Sequence, residues 1–71
     1  MEKNSGYIRK LNFKRTWGLI SDDETDYYFK MEDLNQDGFA IREGLPVKFN
    51  VIDEENPATN TIYRAMNVEL L

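Results

Sequence analysis

Residues 16–30 read TWGLISDDETDYYFK. Two short runs rich in aromatic and branched side chains, TWGLIS and YYFK, the second continuing to Met31, flank the acidic cluster DDETD. Runs of this kind, separated by turn-forming polar residues, are β-strands joined by a hairpin turn. Side chains alternate across a strand, so Trp17 and Leu19 share one face of the first run, and Tyr28 and Lys30 share one face of the second. The alternation that exposes Trp17 buries Ile20. The opposite choice buries Trp17 and Leu19 and leaves Ile20 in water.

Working outward, GYIRKLNF at 6–13 is an earlier strand. After the hairpin, EDLNQDGF at 32–39 is a loop, with one helical turn at 32–34 and an Asp37-Gly38 turn at its end. Gly44 and Pro46 then introduce VKFNVI at 47–52, where Val47, Phe49 and Val51 alternate with Lys48 and Asn50. A long loop spans 54–61, and IYRAMNV at 62–68 is the last strand, with Met66 and Val68 on one side. No stretch has the length and 3.6 period of a substantial helix, and nothing repeats. Five short strands in so small a chain favour a closed barrel, because closure removes sheet edges. The expected fold is all-β, a five-stranded antiparallel barrel of the OB type. Ile8, Ile20, Phe29, Leu34, Val47, Phe49, Val51, Met66 and Val68 are its expected core.

With 71 residues, 41% of them hydrophobic, the chain suits a single domain over 1–71, with 1–5 as a flexible N-terminus. It has no cysteine, so neither disulfides nor thiolate metal sites assist the core. The apolar runs are too short to span a bilayer, and MEKNSGYI lacks the apolar region of a signal peptide, so a cytoplasmic protein without a membrane partner is expected.

The net charge of −4 is unevenly spread. Residues 1–20 carry five cations and one anion, and the remainder carries four cations and twelve anions. Screening over about 8–10 Å lets a bound phosphate sense mainly its neighbours, so a local basic strip can operate inside an acidic protein. Catalysis is the function class ranked lowest. The chain has neither histidine nor cysteine, the usual general base and nucleophile at neutral pH. The carboxylates of residues 22–26 read as a solvated turn, and no Gly-rich phosphate cradle is present. No cofactor, metal or small-molecule substrate is expected.

Six pieces of the sequence, in order, are similar to the cold-shock domain family: GYIRKLN at 6–12, RTWGLI at 15–20, DYYFK at 26–30, DGF at 37–39, EGLPVKF at 43–49 and AMNV at 65–68. The resemblance implies an OB-fold barrel whose outer sheet face binds single-stranded RNA or DNA, acting as a monomeric nucleic-acid chaperone. It implies that bases stack on Trp17, Tyr28 and Phe39, a contact worth about 1–3 kcal/mol per base. It also places Arg9, Lys14 and Arg15 in or beside phosphate-facing positions.

Several positions depart from the family pattern. Lys10 stands where the family has an exposed tryptophan, Leu11 and Met31 where it has phenylalanines, Leu19 where it has a second aromatic, Lys30 where it has a histidine, and Thr16 where it has a glycine. Tyr27 fills an inward slot that the family gives to a smaller residue, so its hydroxyl must reach a barrel end or a polar partner. Fewer stacks and more cations imply binding that depends on salt more than on base identity. The expected nucleic-acid face is therefore Arg9, Lys10, Arg15, Trp17, Leu19, Tyr28, Lys30 and Phe39. The competing expectation is an OB-like barrel that binds a protein, which the acidic remainder of the chain would suit.

Overall fold

A computed structural model describes residues 4–12, 14, 16–34 and 41–71. Five strands, β1 (Asn4–Asn12), β2 (Trp17–Ser21), β3 (Asp26–Lys30), β4 (Pro46–Asn56) and β5 (Thr61–Leu70), form a closed barrel in the order β1-β2-β3-β5-β4. A 3-10 turn, Met31–Asp33, follows β3, one residue ahead of the expected turn. Asn4 and Ser5 belong to β1, paired with Phe49 and Lys48, rather than to a flexible N-terminus. No helix among the described residues is long and apolar enough to cross a membrane.

The purely antiparallel barrel expected from the sequence is corrected by the pairing. Four neighbouring pairs are antiparallel, and β3 and β5 are parallel. Elementary counting explains this: an odd number of strands closed into a ring cannot alternate in direction all the way round. The parallel seam is narrow, with Tyr28 opposite Arg64 and an isolated bridge from Leu34 to Val68.

A charged clasp reinforces that seam. Arg64 on β5 donates from Nε to Asp33 Oδ2 at 2.9 Å and from Nη2 to Asp33 Oδ1 at 2.8 Å. Asp33 Oδ2 also accepts the Lys30 N–H at 2.8 Å, which fixes the 3-10 turn to the end of β3. The Asp33 side chain is 2% exposed and that of Arg64 12%, so this pair is largely desolvated. Glu54 and Glu32 lie on the remaining sides of the guanidinium, at 3.3 and 3.6 Å. The bond to Asp33 raises the Arg64 pKa further above its ordinary value, so the cation is permanent.

Ile8, Ile20, Tyr27, Phe29, Val47, Phe49, Ala65 and Val68 form the buried core, with Leu34 and Val51 packed partly against it. Met66 is not in the core; Ala65 takes that place. The cause is a bulge: Lys48 pairs with Glu69 but Asn50 with Met66, so β5 carries an extra residue, and Asn67 adopts a φ of 51°. Beyond it the strand faces exchange, and Ala65 and Val68 both point inward. Close strand approach sets one glycine: a Cβ on Gly6 would stand 2.4 Å from the Ser21 carbonyl oxygen.

The expected loop at 54–61 is also shorter than the sequence suggests. β4 continues to Asn56 and β5 begins at Thr61, leaving a turn of residues 57–60. Residues 53–55 are exposed, so no apolar alternation marks them as strand.

At one barrel end the Tyr27 ring packs 5.0 Å from Phe49 and 5.9 Å from Tyr63, and its hydroxyl donates to Asp22 Oδ2 at 2.9 Å. Asp22 Oδ1 meanwhile accepts the N–H groups of Thr25, at 2.7 Å, and Glu24, at 3.0 Å. These bonds, that from Thr25 foremost, hold the Asp22 carboxyl below the usual carboxylate range.

Two stability predictions follow from these contacts. Arg64→Met leaves the Asp33 carboxylate buried without its cation and should cost about 3–5 kcal/mol in urea denaturation, whereas Arg64→Lys should recover part of the loss. Asp22→Ala should cost about 1–3 kcal/mol by leaving the Tyr27 hydroxyl and the turn amides unpaired, and Asp22→Asn, which keeps an acceptor, should cost less. Because the folded state lowers the Asp22 pKa, its contribution is present above the ordinary carboxylate range and is lost as pH falls through the folded value. Thermal unfolding of Asp22→Asn across that acid range should show a weaker decline than the parent.

Candidate nucleic-acid interface

Thr16 sets the entry to the outer face of β1–β3. Its φ of 59° lies in the left-handed region, uncommon for a β-branched residue, and its carbonyl accepts the Met31 N–H at 3.0 Å. From there β2 runs with Trp17 and Leu19 outward and Gly18 and Ile20 buried. A Cβ on Gly18 would lie 2.7 Å from the Phe29 ring and from the Lys10 carbonyl oxygen. The missing side chain thus admits the core and β1 against the strand, directly beside Trp17.

Cross-strand register gathers the face. Trp17 opposes Lys30, Leu19 opposes Tyr28, and on the other side Asn12 opposes Trp17 and Lys10 opposes Leu19. The Trp17 and Tyr28 ring centroids are 6.1 Å apart with planes tilted by 38°. Both rings are half-buried, so each keeps an open surface.

Lys10 reaches this face through a bulge. Ile8 pairs with Ile20 and Lys10 with Leu19, so Arg9 is the extra residue in β1. Strict alternation from Ile8 would turn Lys10 into the barrel; the bulge turns it out and leaves Leu11 packed against the core. The turn at 42–45 closes over the irregularity: Ile8 donates to the Leu45 carbonyl at 2.9 Å and accepts from Gly44 N–H at 2.6 Å, while Leu11 N–H donates to Glu43 at 3.2 Å. Lys10 Nζ rests 5.9 Å from the Trp17 ring centroid, within cation–π range.

The expected cations differ in availability. Arg9 is ion-paired with Asp26 and lines a hollow of about 660 Å³ with Tyr7, Asp23 and Glu24, an acidic neighbourhood that opposes a phosphate. Lys30 lies 4.0 Å from Glu32. Lys10 and Lys14 are exposed and have no ion pair among the described residues. Arg15 and Phe39 lie outside the described residues. The structure therefore brings Lys10, Trp17, Leu19, Tyr28 and Lys30 together and places Arg9 in a separate, neutralised setting.

A groove of about 300 Å³ completes the face, with Asn12, Trp17 and Tyr28 on the sheet side and Asn56 at the end of β4 and Ala58 and Thr59 of the β4–β5 turn opposite. The sequence reading missed Asn12, Asn56 and Thr59. The Asn-Pro step at 56–57 marks a turn, but only tertiary folding shows where that turn arrives. Among the described residues, no group of three or more acidic, histidine or cysteine side chains could hold a metal ion. Compared with models of known protein families and with characterised protein sequences, the chain gives no match.

Proposed function

We propose that the chain binds single-stranded RNA or DNA with low sequence specificity, as a monomeric barrel of the OB-fold, cold-shock type. The observation that carries this reading is the pair of outward rings, Trp17 and Tyr28, side by side above a groove on a sheet face. Every base has a π-face, so two adjacent platforms accept successive bases with little regard to identity. A duplex keeps its bases in its own stack and binds poorly. Lys10, Lys14 and Lys30 supply the phosphate contacts in this reading, and Arg9 does not, because Asp26 already holds it. Binding of this kind keeps strands unpaired and needs no catalytic group or cofactor, in keeping with a cytoplasmic nucleic-acid chaperone.

One observation favours a second reading, a barrel that binds a protein. Ile62 is 58% exposed and lies beside Asp53, Glu54 and Glu55 on the β4–β5 hairpin. The two readings part on the fluorescence of Trp17, the single tryptophan.

Titration with oligo-dT should quench Trp17 emission, and a duplex of equal length should leave it nearly unchanged. Trp17→Ala should remove about 1–3 kcal/mol of binding while leaving the fold intact. Emission indifferent to every oligonucleotide rules out the nucleic-acid reading. Two or three neutralised phosphates at a slope of about −0.7 each imply a loss of affinity of about tenfold between about 50 and 200 mM salt; affinity constant over that range would remove the lysines from the interface.

A further inference from the structure

Ile62, near the start of β5, is 58% exposed and borders three hollows of about 660, 320 and 230 Å³. The largest lies where the parallel seam ends. Among the described residues β3 and β5 pair at Tyr28 and Arg64, and two residues earlier on each strand Asp26 and Ile62 line the hollow instead of pairing. Of the residues that form the groove beside Trp17, only Asn56 borders any of these hollows, so this is a different surface.

Carboxylates flank Ile62 from both neighbouring strands, because β5 lies between β3 and β4 in the barrel. Asp23, Glu24 and Asp26 line the hollow on the β3 side, and Asp53, Glu54 and Glu55 line the one on the β4 side. The one cation that lines the three hollows is Arg9, and Asp26 already holds it. Glu54 meets Arg64, which Asp33 shares. Asp23, Glu24, Asp53 and Glu55 have no ion pair among the described residues. With six carboxylates against one arginine, this surface is more negative than the whole chain at −4.

A lone exposed isoleucine is ordinary, and so is a solvated acidic turn. An apolar centre with a charged rim on both sides is the layout of a protein interface. Its sign selects the occupant. A nucleic-acid strand or an anionic membrane is repelled here, and a small cation offers nothing to Ile62. Resting on the protein-binding reading of this hairpin, and independent of what the Trp17 face takes, we infer that the surface docks a basic protein segment. An apolar side chain of that segment covers Ile62, and its lysines or arginines meet the carboxylates on either side.

The probe is a short fluorescein-labelled peptide of alternating lysine and leucine, followed by anisotropy on the whole chain. It should bind, and more weakly as salt rises. Serine in place of leucine should weaken it by about three- to tenfold, and glutamate in place of lysine should abolish binding. Ile62→Thr, which keeps a β-branched residue on the strand, should cost about three- to tenfold. Asp53→Asn combined with Glu55→Gln, both exposed, should cost about two- to tenfold and serves if the Ile62 variant does not fold. Affinity unchanged in these variants overturns the proposal. Equal binding of the lysine–serine peptide overturns the role of Ile62, since any polycation would then suffice. Binding of the glutamate–leucine peptide that Ile62→Thr weakens keeps the protein-binding reading and overturns the basic partner, whereas binding of neither leucine peptide overturns both. A dimer of the chain alone that Ile62→Thr dissociates in sedimentation makes the occupant a second copy and also overturns the basic partner.

Discussion

The bidentate bond between Arg64 and Asp33 joins the one place where the barrel has little else to hold it. A five-stranded ring must contain a parallel seam, and among the described residues that seam has a single ladder pair, Tyr28 with Arg64, and one further bridge at Leu34. The guanidinium replaces missing ladder bonds with two charge-assisted ones, and Asp33 passes the constraint to the end of β3 through the Lys30 amide. Tyr28 and Lys30 take their positions from β3, and Trp17 takes its own from pairing with Lys30. The outer face is thereby tied to a contact on its margin that touches no ligand in the proposed reading.

The same clasp shapes the electrostatics of that face. Glu32, Asp33 and Glu54 surround Arg64, and Asp26 holds Arg9, so two of the chain's arginines are occupied within the protein. On the outer face, the positive charge of the described residues comes from lysines around Trp17, whose hydrated, mobile heads suit phosphate attraction more than geometric readout.

Local pattern made much of this legible. Alternation in residues 16–30 places Trp17, Leu19, Tyr28 and Lys30 outward and Ile20 and Phe29 inward, as the structure has them. It also demanded a partner for the Tyr27 hydroxyl, which Asp22 supplies. Period-2 reading fails wherever a strand gains a residue. The inward pairs Ile8 with Leu11 and Ala65 with Val68 are spaced by three, which looks like disorder in a strand until the bulges at Arg9 and Asn67 are known. The far end of β4 resembles a loop in sequence because its exposed, acidic side chains carry no apolar signal. Arg64 and Asp33 are 31 residues apart, and nothing local in either segment indicates the other.

Charge segregation along the chain has a kinetic consequence. A protein of net charge −4 repels a polyanion at distances beyond a few strands' width, whereas the lysines around Trp17 attract it only at close range. Added salt weakens the distant repulsion and the near attraction together, and the two act on different steps. In the proposed reading, encounter with a single strand therefore gains nothing from steering and quickens as salt screens the repulsion, while the lifetime of the complex, which depends on the lysine contacts, shortens with salt.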